Sequence, residues 1–111
     1  MYRYIIEYYN DGVQADIRAL PETLRARYFV LTELMEAVGP NLGEPRTQAF
    51  GDGLFELRLK GAEGIARVFY GTLVGQRIVM LHSFIKKSDK TPLRHRRIAE
   101  KRLKEIRHAD A

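Results

Sequence analysis

Apolar positions along the chain change period twice, dividing it into an opening strand, a helical part, a strand-rich part and a last helix. Tyr2 to Tyr9 is rich in aromatic and β-branched residues and is short, so it reads as a strand. Asn10-Asp11-Gly12 then gives a turn able to cap a helix carrying Val13, Ile17 and Leu20 at i, i+4 and i+7. Pro21 suits the first position of a second helix, and Glu22 suits its positive amino end. Leu24, Tyr28, Leu31, Met35 and Val38 continue the helical stripe, which is expected to lie in the core. Gly39-Pro40 stops it, because glycine tolerates a left-handed cap and proline cannot extend a helix. Residues 11 to 38 therefore read as a helical hairpin.

From Thr47 the period becomes two. Phe55, Leu57 and Leu59 alternate with Glu56, Arg58 and Lys60, the pattern of a half-buried strand with one polar face. Gly61 to Gly64 supplies a turn, Ile65 to Thr72 a second strand, Val74-Gly75-Gln76 another turn, and Arg77 to Ile85 a third strand. These three strands are expected to form a meander. Thr91 can cap a last helix with Pro92 in its first turn, and Ile98, Ala99, Leu103 and Ile106 can face the sheet. The expected fold class is α+β, a small antiparallel-rich sheet with helices at both ends of the sequence, in one domain over residues 1 to 111.

Composition narrows the chemistry. The chain has no cysteine, which excludes a disulfide scaffold, a thiolate zinc site and a cysteine nucleophile, and fits a reducing compartment. The amino end lacks a signal peptide's apolar stretch and no run reaches the ~20 apolar residues of a membrane span, so a cytoplasmic protein without a membrane partner is expected. The net charge of +5 is uneven: residues 84 to 111 carry ten basic against four acidic side chains, while the preceding residues carry nine against ten. Such a block serves a polyanion, an acidic protein or simply a solvated helix.

Phe84-Ile85-Lys86-Lys87-Ser88-Asp89-Lys90-Thr91-Pro92 places three lysines where a strand runs into a helix, and Arg94, Arg96 and Arg97 follow in the first turns. Cations at a helix amino end oppose the dipole, and a bound phosphate would relieve both the crowding and the uncapped N–H groups. Arg58 and Arg67 lie in strands at positions that alternation can turn toward the same open face, although Arg58 can equally pair with Glu56 two residues away. Gly51-Asp52-Gly53 precedes a strand and has no following helix, so it reads as a loop turn and not a dinucleotide site. The polar face offers only Glu56 clearly as a carboxylate, which disfavours a two-metal nuclease; no metal or cofactor is expected.

Three segments carry a resemblance. Leu54-Phe55-Glu56-Leu57-Arg58, Arg67-Val68-Phe69-Tyr70 and Leu81 through Pro92 resemble successive motifs of phage-associated HigB-like toxins in the RelE/ParE superfamily, the third being the specific one. The resemblance implies a RelE-like fold and the toxin of a toxin-antitoxin system. Its activity would be ribosome-dependent, metal-independent cleavage of mRNA through attack of a 2′-hydroxyl on the adjacent phosphate. The implied partners are a helix-turn-helix HigA-like antitoxin and the ribosome with its mRNA, with operator DNA reached only through the antitoxin. Carried over by motif, Arg58, Arg67, Lys86, Lys87 and Lys90 are the catalytic candidates, and Tyr70, His82, Phe84, Arg94 and Arg97 the substrate-binding ones. That family often has Glu-Ile soon after the Thr-Pro, whereas His95-Arg96 stands here and makes the surface more basic. A ParE-like topoisomerase inhibitor without RNA chemistry, or a phage-encoded basic accessory protein, are the alternatives, since the superfamily fold serves more than one activity.

Overall fold

The computed structural model describes residues 3–87 and 92–110. Strand β1 (Ile5–Tyr8) leads into helices α1 (Asp11–Arg18) and α2 (Glu22–Val38). Strands β2 (Thr47–Gly51), β3 (Leu54–Gly61), β4 (Gly64–Leu73) and β5 (Arg77–Lys86) follow, then helix α3 (Leu93–Asp110). The sheet order is β1-β5-β4-β3-β2, with β1 parallel to β5 and the other neighbours antiparallel. The opening strand therefore joins the sheet beside the last one, and the helical hairpin carries the chain from that edge to β2 at the other.

Local chemistry sets the elements. The Asn10 side chain accepts a hydrogen bond from the Val13 N–H at 2.8 Å and so caps α1. Pro21 stands one residue ahead of α2, and Gly39 ends that helix with φ at 105°, a conformation that glycine alone adopts without strain. The meander has four strands and not three. Gly51-Asp52-Gly53, read as a loop turn, is the turn of the hairpin joining β2 to β3, with all three residues at positive φ. The capping position expected at Thr91 lies outside the described residues.

Two cores sandwich the sheet. On one face Val13, Ile17 and Leu20 join Leu24, Tyr28, Leu31 and Met35 against Leu57, Leu59, Val68, Tyr70, Ile78 and Met80. Val38, read as the end of this stripe, is the last residue of α2 and is instead 64% exposed. On the other face α3 packs Ala99 and Leu103 onto Leu54, Phe69, Val79 and Leu81. Gly71 makes that approach possible: a Cβ added there would stand 2.4 Å from Leu103 Cδ1. This apolar patch lies on β3, β4 and β5. Toward the amino end of α3 the sheet presents polar residues, and there the candidate site lies.

Candidate active site

Antiparallel pairing lines up functional side chains in rows across the sheet. Arg58 on β3 is directly opposite Arg67 on β4, which is opposite Phe84 on β5. In the next row stand Gln48, Glu56, Phe69 and His82, one from each of β2 to β5. Period-two alternation puts Glu56, Arg58, Arg67 and Phe69 on the α3 face. On β5 alternation alone would fail to do so for Lys86. The register shifts between Phe69 and Tyr70, so that Tyr70 pairs with Met80 and Phe69 with His82. The extra residue, Leu81, lets Val79 and Leu81 pack under α3 while His82, Phe84 and Lys86 also turn to that face.

The result is a cleft of about 290 Å³ lined by Gln48, Glu56, Arg58, Arg67, Lys86 and Arg96 over Phe50, Phe69 and Leu93. Four cations share this lining with one carboxylate. Glu56 is 3% exposed, and its Oε1 lies 3.4 Å from both Arg58 Nε and Arg67 Nε. Like charges directly opposite on a sheet repel, and this shared anion is what permits the pair. Arg58 also donates to the Gln48 side-chain oxygen and meets Glu44 at 3.5 Å. Arg67 is held differently. Its Nε is close enough to Glu56 for an ion pair, yet it is buried and makes no hydrogen bond among the described residues. Burial lowers the Arg67 pKa first, the Glu56 charge opposes that shift, and the Arg58 charge adds to it. Such a guanidinium gains more than a solvated one from an incoming anion.

The other sequence candidates divide. Lys86 lines the cleft, Lys87 is exposed beyond it, and Lys90 lies outside the described residues. Tyr70 is on the opposite face: fully buried, stacked on Phe55 at 5.2 Å, with its hydroxyl donating to the Pro40 carbonyl oxygen. Burial pushes its pKa up, and it belongs to the hairpin core. Phe84, a candidate for stacking on a base, already carries a partner, since the His95 ring lies parallel to it at 3.9 Å and 1°. His82 Nε2 and His95 Nδ1 are 2.7 Å apart, one ring donating and the other accepting. Burial, then the charge of His95, brings the His82 pKa down to about 4, and burial lowers that of His95. These two histidines clamp the first turn of α3 to β5. Arg94 and Arg97 are exposed and do not line the cleft.

Sequence reasoning left Glu56, Gln48 and Arg96 out of the candidate set. Arg96 was discoverable. A helix turns about 100° per residue, so if Ala99 and Leu103 face the sheet, Arg96 borders that stripe while Arg94 and Arg97 point away. The structure has its guanidinium 4.4 Å above the Phe50 ring and 3.5 Å from Glu100. No group of three or more His, Cys, Asp or Glu side chains among the described residues is placed to hold a metal ion. Among them, too, no helix is long and apolar enough to cross a membrane.

Comparison with known proteins agrees with this architecture. A solved structure of the E. coli toxin RelE, a double mutant in the free state, superposes with a TM-score of 0.63 at 10% identity, covering 94% of this chain and 98% of that one. At that identity the likeness establishes the fold. No curated protein sequence matches the chain significantly. The family model described as Phage derived protein Gp49-like matches residues 15–104, which is most of the chain. The chain thus belongs to the Gp49-like family of phage-derived proteins and has the fold of the RelE toxin.

Proposed function

We propose that this chain is the toxin of a toxin-antitoxin pair and cuts translated mRNA on the ribosome. The observation that carries the reading is the convergence of Arg58, Arg67, Lys86 and Arg96 on one cleft. A phosphodiester attacked by its neighbouring 2′-hydroxyl builds negative charge on the nonbridging oxygens, and preformed guanidinium groups stabilise that charge without reorganising. Arg67 is the principal clamp, because it is the more buried of the two strand arginines. The 2′-hydroxyl gives up its proton as its oxygen bonds to phosphorus, and the leaving 5′-oxygen takes one as its bond breaks. Lys86 lines the same cleft and supports a lysine in one of those transfers. The products are a 2′,3′-cyclic phosphate and a 5′-hydroxyl. Four cations can carry the phosphate charge without a bound metal, and cutting is expected to need no divalent ion beyond those the ribosome itself requires.

The same cleft supports a partner that neutralises it: a helix-turn-helix HigA-like antitoxin that covers the cations with acidic side chains. The test is to induce the wild type and an Arg67→Ala variant and map mRNA 5′ ends. New ends within translated frames are expected for the wild type, reduced on the order of 10²- to 10³-fold in the variant, the usual cost of removing one transition-state donor. Intact messages alongside blocked DNA supercoiling would replace this reading with topoisomerase inhibition.

A further inference from the structure

Beside the cationic cleft is a second one of about 420 Å³, between the β2–β3 turn and the outer half of α3. Phe50 and Arg96 line both and are the wall they share. The volume lies within the ~300–1,000 Å³ of small-molecule pockets. Its chemistry is mixed in a particular way: Leu54 and Leu103 give an apolar floor, Asp52 and Glu100 offer carboxylate acceptors, and Lys104 and Arg107 supply cations. A flat apolar ring with N–H donors on its edge, attached to a phosphate, matches each of these in turn. The geometry points to a nucleotide subsite here, taking a base with N–H donors that neighbours the scissile phosphate on the same RNA strand.

The inference deepens the proposed RNA cutting and rests on it. Three features support a built site. The Arg96 guanidinium, 4.4 Å over Phe50, makes a stacked platform on which a base can lie, since bases stack on aromatic rings and on guanidinium planes alike. Arg107 is fixed: its Nη2 donates to the Thr72 carbonyl at 3.4 Å, and a Cβ added to Gly53 would stand 2.5 Å from that nitrogen. Gly53 is therefore the residue that lets the β2–β3 turn close against this cation. Lys104 is exposed at the rim and can meet the next phosphate.

The experiment uses an RNA tetramer and an octamer, each with one 2′-deoxy substitution at the cut position so that both bind uncut. The chain has no tryptophan, so Phe50→Trp introduces a single reporter. The octamer is expected to quench its fluorescence by more than half and the tetramer by far less. In the otherwise native chain, Lys104→Ala is read by the anisotropy of labelled octamer. It is expected to reduce the slope of log affinity against log salt by about 1, the mark of one lost phosphate contact. Lys101→Ala, an equal change of charge on the same helix but outside both clefts, is expected to leave the slope unchanged. Octamer binding with an unaltered slope in Lys104→Ala overturns the subsite and leaves the cutting reading intact. Failure of the native chain to bind the octamer also overturns the subsite, whereas the absence of new mRNA ends within translated frames on induction overturns the cutting reading and the subsite with it.

Discussion

Replacing Glu56 by glutamine removes one negative charge from beneath two guanidinium groups and changes almost no volume. Breaking a buried ion pair by deleting one partner costs about 3–5 kcal/mol when the other charge is left without solvent. Here the cost is smaller. Arg58 is 28% exposed and retains Gln48 and Glu44, whereas Arg67 is 12% exposed and faces Arg58 across the strand pair. Counting most of the penalty for Arg67 and little for Arg58 gives about 2–3 kcal/mol. For a domain of this length that is a fall in Tm of roughly 10 °C, at about 4 °C per kcal/mol. Thermal unfolding by circular dichroism, with and without phosphate, measures it. The variant leaves an anion vacancy between two arginines, so phosphate should raise its Tm more than that of the wild type, while chloride at equal ionic strength should not. A variant within about 0.5 kcal/mol of the wild type, the range of an ordinary surface substitution, or one indifferent to phosphate, refutes the idea that Glu56 neutralises the pair.

Two further outcomes test the rest of the fold. The unfolded chain protonates His82 near the ordinary value of about 6.5 and the folded chain at about 4, so the unfolded state binds more protons between those values. Stability should fall as pH drops from about 6.5 toward 4, by about 1 kcal/mol once solvent screening is allowed for, and His82→Gln should flatten that slope in urea titrations. Gly71→Ala sets a methyl group 2.4 Å from Leu103 Cδ1 and should cost about 1–3 kcal/mol by overpacking. Adding Leu103→Ala should cost less in that background than in the wild type, a non-additivity that a double-mutant cycle detects.

How much of this was legible in the sequence depends on the kind of order involved. Period-two alternation on β3 separated Leu57 and Leu59 from Glu56 and Arg58, and the structure keeps that division, because burial of one face enforces register. The helical stripe through Leu24, Tyr28, Leu31 and Met35 was equally plain, since apolar residues sustained at a 3.6 period over that length lie on one face of a helix and nowhere together on a strand. Tyr70 was misplaced for a different reason. Its motif neighbour Arg67 faces the cleft, and three positions along a strand reverse the side, so sharing a motif does not mean sharing a face. His95 was visible only as a departure from a family pattern; that it reaches His82 depends on how α3 docks, which sequence spacing does not encode.

The β5 bulge shows where reading by pattern stops and why the site depends on it. Along an unbroken strand, a face that buries Val79 and Leu81 would continue with Ser83 and Ile85, and Lys86 would turn toward the helical hairpin. The shift opposite Phe69 adds one residue and moves His82, Phe84 and Lys86 onto the α3 side. Met80-Leu81-His82 contains no glycine, proline or asparagine to announce the change. The reason is energetic. Both faces of β5 are covered at that point, Met80 under the hairpin and Leu81 under α3, so apolar residues are wanted on either side and the sequence shows a continuous run. A strand buried on both faces loses its alternation, and with it the only local signal of which side the next polar residue takes. Register in β5 is set instead by its neighbours: by β4, where Arg67 and Phe69 must face the cleft, and by β1, which fixes Ile78 to Met80 in parallel pairing. The lysine that joins the arginines is thus placed by contacts from distant parts of the chain.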